Sequence, residues 1–382
     1  MYTPESQRGH ARYTRELLRA MAACEGDPDL PLELVTCSDL APEFRTDRYS
    51  IQAFLPPLVD RSRFRTRLHW GISRVAYYLQ RERAFLKWTR TQPDLGLVHF
   101  QEYTPWLAPW HFPWLRRRGI EVVATVHNIS NFQHASIRYM QVSRHCWQRA
   151  WRSCSALVVH TEGLRKSLSA FLGGSHPPIH ITPHGVWEER TSPPTPPRLS
   201  GPGEPVRLLF FGAIRRIKGL SLLLQAMEQL PECSLTIAGE PEPGEHYEEA
   251  LQLIRRLPPD RVEFEPRYIA EHEIEGYFDR AQIVVLPYTE FASQSGVLHQ
   301  ALAHGRPVVA SAVGGLGESV EEWGIGELVP PRDAIALAEG IRRLFEPMRY
   351  RAAVEAVARE RTRRTWARQA EATLGVYRSL LA

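Results

Sequence analysis

Residues Ala281–Ser311 read AQIVVLPYTEFASQSGVLHQALAHGRPVVAS. The run IVVLPY is short, apolar and unbroken, as a buried strand is. A Ser295-Gly296 pair then opens an apolar helical stretch. Gly305 and Pro307 punctuate it before a second apolar run, PVVAS. The order is strand, tight loop, helix, strand, the repeating unit of a parallel sheet covered by helices. A glycine at a helix mouth just past a strand is also where phosphate groups bind. The loop itself holds no Lys or Arg, and no carboxylate falls between Glu290 and Glu318. Charge to hold a phosphate must come from elsewhere in the chain.

Outward from this segment the same alternation continues. VRLLFFG, CSLTIAGE and VEFEPRY read as strands, with helical patterns at 220–230, 246–257 and 271–280 between or after them. Upstream, LELVTCS, LGLVHF, EVVATVHN, ALVVHTE and PIHITPHG read as further strands, with helical patterns at 13–21, 144–152 and 163–172. Residues 191–205, TSPPTPPRLSGPGEP, hold too many prolines for a helix or central strand and read as a linker. The fold class is α/β: two parallel-sheet domains, 1–190 and 206–349, with helices over 350–382. A chain of 382 residues is long enough for both. Ligands of such sheets bind beyond the carboxyl ends of the strands.

The amino terminus reads MYTPESQRGHARYTRELLRAMA and enters a loop and helix almost at once. Either a first strand is absent or lies upstream, or the sheet begins at LELVTCS. The five cysteines form no CxxC pair, which points away from a metal site or disulfide framework and towards a reducing cytoplasm. No run of 18 apolar residues suggests a membrane span. A formal net charge of +4 is weak ground for nucleic-acid binding, and no recognition motif supports it.

The candidate cations lie in FFGAIRRIKGL, 210–220. A strand ends at Gly212, Arg215, Arg216 and Lys218 follow, and Gly219 opens a helix. Arg can chelate a phosphate through two parallel N–H bonds, and Lys supplies a compact charge. With backbone N–H groups from the Ser295-Gly296 turn, they would hold a diphosphate. The alternative is a solvated basic turn. Neither GxxxxGK[ST] nor a strand-borne GxGxxG is present. VGGLGESVE, 313–321, reads as a glycine-rich turn that leaves room for a ligand.

Taken together, FGAIRRIKGLSLLLQAM, LTIAGE, VEFEPRYIAEHEIEGYFDRAQIVVLPY, SQSGVLHQALAHGRPVVAS and VGGLGESVEEWGIGELVPPRDAIALAEGIRRLF resemble the donor domain of family 4 retaining glycosyltransferases of the GT-B fold. The upstream half is similar more loosely. The resemblance implies transfer of a sugar from a nucleoside diphosphate sugar to a saccharide or lipid-linked acceptor, with retention and without a metal or other cofactor. It makes 1–190 the acceptor domain and returns the final helices to it. Arg215 and Lys218 would neutralise the leaving diphosphate. Gly212, Ser295, Gly296 and Val297 would line the donor phosphates, and His127 would stand near the reacting sugar. Gly9, His160, Glu162, His184 and Gly185 would lie at the cleft, with His99 and Glu102 as weaker candidates. Glu162 reads equally as an N-terminal helix carboxylate, and His127 as a packing histidine.

One departure stands out. The family carries two glutamates eight positions apart in this loop, where this chain has Ala292 and Gln300. Glu290 could reach in instead, and Gln300 could meet a ribose hydroxyl without charge. Two other classes therefore stay open: a sugar-nucleotide-binding subunit without catalysis, and an epimerase of the same fold. The epimerase would want a carboxylate base that Ala292 and Gln300 do not provide.

Residues 61–90 hold nine Lys or Arg and one acidic residue, interleaved with apolar and aromatic side chains. WLAPWHFPWLRRRG, 106–119, adds aromatics and arginines. This is the pattern of a helix on an anionic membrane surface. It is also the pattern of a helix whose apolar stripe packs on the sheet while its arginines face water.

Overall fold

The computed structural model describes residues 1–4, 9–24, 31–57, 66–127, 129, 137–187, 194–201, 203–242, 244–290 and 295–382. The chain divides into two compact units, Met1–Gly185 with Trp366–Ala382, and Val186–Thr365.

In the first unit the apolar runs form β1 (Glu33–Cys37), β2 (Ser50–Leu55), β3 (Leu97–Phe100), β4 (Glu121–Thr125), β5 (Ala156–Val159) and β6 (Ile179–Ile181). β1 pairs with β2, and β3 to β6 pair in chain order, all parallel. The gap between β1 and β3 is filled by Tyr2, which bridges Val35 on one side and Phe100 on the other. Its N–H donates to the His99 carbonyl (2.8 Å) and its carbonyl accepts from Gln101 (3.0 Å). The sheet therefore does not begin at LELVTCS. One bridging residue, buried against Phe85 and Phe100, joins its two parts. A single residue has no alternation to read, so the sequence pattern misses it.

Two helices of this unit carry most of the basic aromatic sequence. Arg67–Arg90 is capped by Thr66, whose side chain accepts from the His69 amide. Tyr77 and Phe85 are buried on it, while Ile72, Val75 and Leu79 are exposed. Not every arginine faces water: Arg81 is 2% exposed and hydrogen-bonds Thr104. Its neighbour Glu82 pairs with His111 at 3.0 Å. The second helix, Ala108–Arg117, buries Phe112 and Leu115 in the core and leaves Trp110 65% exposed.

The second unit holds β7 (Val206–Phe211), β8 (Cys233–Ala238), β9 (Val262–Glu265), β10 (Ile283–Leu286), β11 (Val308–Ser311) and β12 (Gly326–Val329). Their order is β12-β11-β10-β7-β8-β9, all parallel. Every residue of β10 and β11 is buried, which is why both read as unbroken apolar runs. Each such valine, leucine or isoleucine contributes roughly 1.5–3 kcal/mol. The chain runs from β7 outward to β9 and then returns to the other side of β7. The switch point thus lies between β7 and β10, where this class of sheet binds ligands.

Three expectations are revised. VGGLGESVE is not a turn but the start of the helix Gly314–Trp323, which buries Leu316, Val320 and Trp323. A Cβ at Gly317 would sit 3.1 Å from the Ala312 backbone, so that glycine serves close helix-to-strand packing. Residues 191–205 are not a free linker where described. Leu199 packs on the second core, and the Gln282 amide donates to the Arg198 carbonyl. The chain crosses units at Gly185–Val186 and Thr365–Trp366, not at 190 and 350. Tyr350 and Ala353 belong to the second core, where Tyr350 Oη donates to the Gln282 carbonyl at 3.0 Å.

Candidate active site

In the second unit the loops after β7 and β10 are pressed together. Gly219 has φ 69°, and a Cβ there would lie 1.9 Å from the Pro287 carbonyl oxygen. The Thr289 amide donates to Ile217 at 2.9 Å. This contact sets Lys218 Nζ 3.7 Å from the centre of the Tyr288 ring. Tyr288 Oη reaches Ser295 Oγ at 3.0 Å. Ser295 caps the helix Gly296–Ala303, its Oγ accepting from the Leu298 amide. The His299 amide goes to the Ser295 carbonyl. The amides of Gly296 and Val297 have no partner among the described residues. A cation, an aromatic face, a hydroxyl and the N–H groups of a helix mouth therefore meet at the switch point, an arrangement suited to an anion. Gly212, φ 93°, ends β7 beside them, and a Cβ there would approach Val297 to 3.3 Å.

Gly219→Ala is expected to cost about 3 kcal/mol, since it adds left-handed strain to the Pro287 collision. Gly276→Ala, with open space around it on the helix Glu271–Arg280, is expected to be neutral or slightly stabilising. Urea unfolding of both variants checks this, and equal midpoints would refute the contact.

The other donor candidates are placed differently. Arg215, with Arg216, Arg332, Thr289 and Gly219, lines a hollow of about 220 Å³. Glu290 is ion-paired with Arg332 rather than standing as an unengaged carboxylate. Gln300 is buried on the Gly296–Ala303 helix. Ala292 lies outside the described residues.

In the first unit His127 follows β4 and is held on three sides. The His10 ring stacks on it at 4.5 Å and 15°, Tyr13 meets it edge-on at 5.1 Å, and His160 Nε2 lies 3.3 Å from its Nδ1. Burial and the neighbouring histidines push the His127 pKa well below its ordinary value. Burial lowers that of His160 to about 4. His127 Nε2 is shielded from solvent and has no partner among the described residues. Such an orphan costs about 1–3 kcal/mol, a cost that a sugar hydroxyl would remove.

The remaining cleft candidates separate into two kinds. His184 and Gly185 form the wall behind this cluster. His184 packs on Tyr13 and Trp366, and Gly185 touches Trp366 so closely that a Cβ would come within 2.4 Å of its ring. The Gly185 amide donates to Gln369 (2.8 Å), which in turn donates to Tyr13 Oη. Glu162 sits apart on the first turn of Glu162–Leu172, paired with Arg165 at the surface, as an N-terminal helix carboxylate would. Gly9 is the first residue of Gly9–Ala23, the helix that carries His10 and Tyr13. His99 is buried, bonded to Tyr377 (2.6 Å) and Thr125 (2.7 Å), a structural position.

Sequence reasoning placed His160 at the cleft and the stretch 9–13 in a first loop, but missed that His10, Tyr13 and His160 pack on His127, and missed Tyr288. His10 and Tyr13 stand three apart on one helix, a legible spacing. Trp366 and Gln369 carry no local signal.

Two family profiles match the chain in tandem: "Glycosyltransferase Family 4" over residues 7–190 and "Glycosyl transferases group 1" over residues 205–347. The chain belongs to the family 4 glycosyltransferases. The transferase is 29% identical over 307 residues to the D-inositol 3-phosphate glycosyltransferase of Xylanimonas cellulosilytica, covering 75% of this chain and 73% of that one. Among solved structures it is similar to the sucrose-phosphate synthase of Thermosynechococcus elongatus, with TM-score 0.73, 23% identity, and 98% and 94% of the two chains covered. It is also similar to HepE of Anabaena in complex with UDP, with TM-score 0.68, 18% identity, and 99% and 98% covered. The transferase has the GT-B fold, built from two Rossmann-like units.

Proposed function

We propose that this transferase moves a sugar from a nucleoside diphosphate sugar to a saccharide or lipid-linked acceptor, retaining the anomeric configuration. The observation that carries the reading is the meeting of Lys218, Tyr288 and Ser295 at the mouth of the Gly296–Ala303 helix, at the β7–β10 switch point. As the bond to the leaving oxygen breaks, negative charge grows on the diphosphate. Donors already aimed at that position stabilise the transition state without reorganising. Lys218 supplies the charge, and Arg215 a second cation from the same loop. Protein groups thus do the work for which a metal ion would otherwise be recruited. His127 Nε2 accepts from a hydroxyl of the transferred sugar.

The test is a panel of nucleotide sugars, scored for nucleoside diphosphate release with and without saccharide acceptors. Uridine donors come first because HepE was solved with UDP. Release that depends on an acceptor, with the product in the donor's configuration, is expected. Binding without turnover would overturn the reading in favour of a non-catalytic subunit.

The acceptor side of the proposal places the first unit on a membrane, at its cytoplasmic face. No helix among the described residues is long and apolar enough to cross one. Ile72, Val75 and Leu79, at i, i+3 and i+7, form one exposed face of Arg67–Arg90. Tyr78 on the same helix meets exposed Trp106, and Arg149 sits over exposed Trp110. Exposed Arg74, Arg83, Lys87 and Arg90 lie on the same helix. An apolar face with cations near it suits an anionic bilayer. The protein is expected to sediment with phosphatidylglycerol vesicles at low salt and less so at high salt. Ile72→Ser with Trp110→Ser should weaken this. No sedimentation at low salt would remove the proposal.

A further inference from the structure

We propose that His160 is a positioning residue that fixes the tautomer of His127 and thereby selects donors whose sugar offers a hydroxyl, not a carboxylate, at the contacted position. The argument follows protons along three atoms. His160 Nδ1 lies 2.9 Å from the Thr182 carbonyl oxygen. A carbonyl has no proton to give, so Nδ1 carries the hydrogen and donates it. In a neutral ring His160 Nε2 is then bare. It lies 3.3 Å from His127 Nδ1, and two bare nitrogens cannot bond, so the proton is on His127 Nδ1. His127 Nε2 is left as an acceptor, with no partner among the described residues.

The chain of bonds is anchored in the sheet. The Thr182 amide donates to Val159 of β5 at 2.9 Å, so its carbonyl is held where β6 ends. His10 on one face and Tyr13 on one edge keep the His127 ring from turning. Burial disfavours the doubly protonated form of either ring, which would erase the distinction. A second-neighbour hydrogen bond that sets which nitrogen is free is a recurring device around functional histidines.

An obligate acceptor discriminates. A hydroxyl donates to it, whereas a carboxylate at the same place sets lone pairs against a lone pair, unpaired and shielded from water. The contact of His127 with the sugar rests on the functional proposal above; the tautomer does not, so the two can fail separately.

The tautomer is read directly on the resting protein, by long-range proton–nitrogen correlation of 15N-histidine-labelled chain at neutral pH. Both His127 and His160 are expected to be protonated at Nδ1 and bare at Nε2. A proton on His127 Nε2 would overturn the proposal. Kinetics then test its consequence. His160→Gln keeps an oxygen that can accept from His127 Nδ1–H and should hold kcat/KM within about threefold. His160→Met has similar bulk and no such acceptor, and should lose about tenfold or more. It should also narrow the preference for neutral hexosyl over hexuronosyl donors. Equal rates for the two variants, or a wild-type preference for hexuronosyl donors, would refute the selective role. Should His160→Met fail to fold, the wild-type spectrum still decides the tautomer.

Discussion

Lys218→Ala is expected to lower kcat/KM for glycosyl transfer by about 10²–10³-fold, the range seen when one transition-state donor is removed. Its ammonium is fixed over the Tyr288 ring, 3.7 Å from the centre, beside the mouth of the Gly296–Ala303 helix. The turn that presents it is held by backbone bonds, Lys218 N–H to Arg215 and Gly219 N–H to Arg216, which alanine retains. The loss should therefore be chemical rather than structural, with an unfolding midpoint close to that of the parent. Because leaving-group charge grows towards the transition state, kcat and kcat/KM should fall together. A rise in KM alone would mean that Lys218 grips the ground state instead. Lys166→Ala, at an exposed lysine of Glu162–Leu172, is the control. Equal activity of the two variants would remove the diphosphate assignment.

Stability is expected to drop steeply as pH falls from about 6.5 to about 4, beginning well before most carboxylates titrate. Burial lowers the His99 pKa to about 3 and the His160 pKa to about 4. The ordinary value, about 6.5, applies once the chain unfolds. Between these limits the unfolded chain takes up protons that the folded chain refuses. Acid therefore favours unfolding, and stability rises with pH through this window. Above about 6.5 both states hold neutral rings and the slope from these groups vanishes. Each histidine contributes about 1.4 kcal/mol per pH unit, so the pair gives a slope near 3 kcal/mol per unit. His127, shifted the same way, steepens it. Denaturant midpoints measured across the window check this. A flat profile down to about pH 5 would show that these rings are hydrated.

The folding pattern was legible because parallel strands buried on both faces must be apolar throughout. IVVL and VVAS could be nothing else once Gly and Pro bounded them. The glycine in IRRIKG was legible as a turn, and its neighbour Lys218 as a cation at a strand end. Tyr288 was not recognised as the surface on which that lysine rests, since it reads only as the last residue of an apolar run. VGGLG misled for a related reason. Glycines signal backbone freedom and close packing alike, and Gly317 serves the second.

By itself the sequence determined two α/β units, the strand ends that bear the candidate residues, and the cations of the loop after β7. These follow from periodicity and local turn chemistry, which a linear pattern records. The tertiary structure alone decided what joins residues far apart in the chain. Tyr2 closes the sheet between Val35 and Phe100, Trp366 and Gln369 wall off Tyr13, and Thr182 orients His160 and through it His127. Hydrogen bonds and ring contacts between such residues depend on ångström separations that no spacing along the chain encodes. Lys218 and Ser295, which meet on Tyr288, stand more than seventy positions apart in the chain.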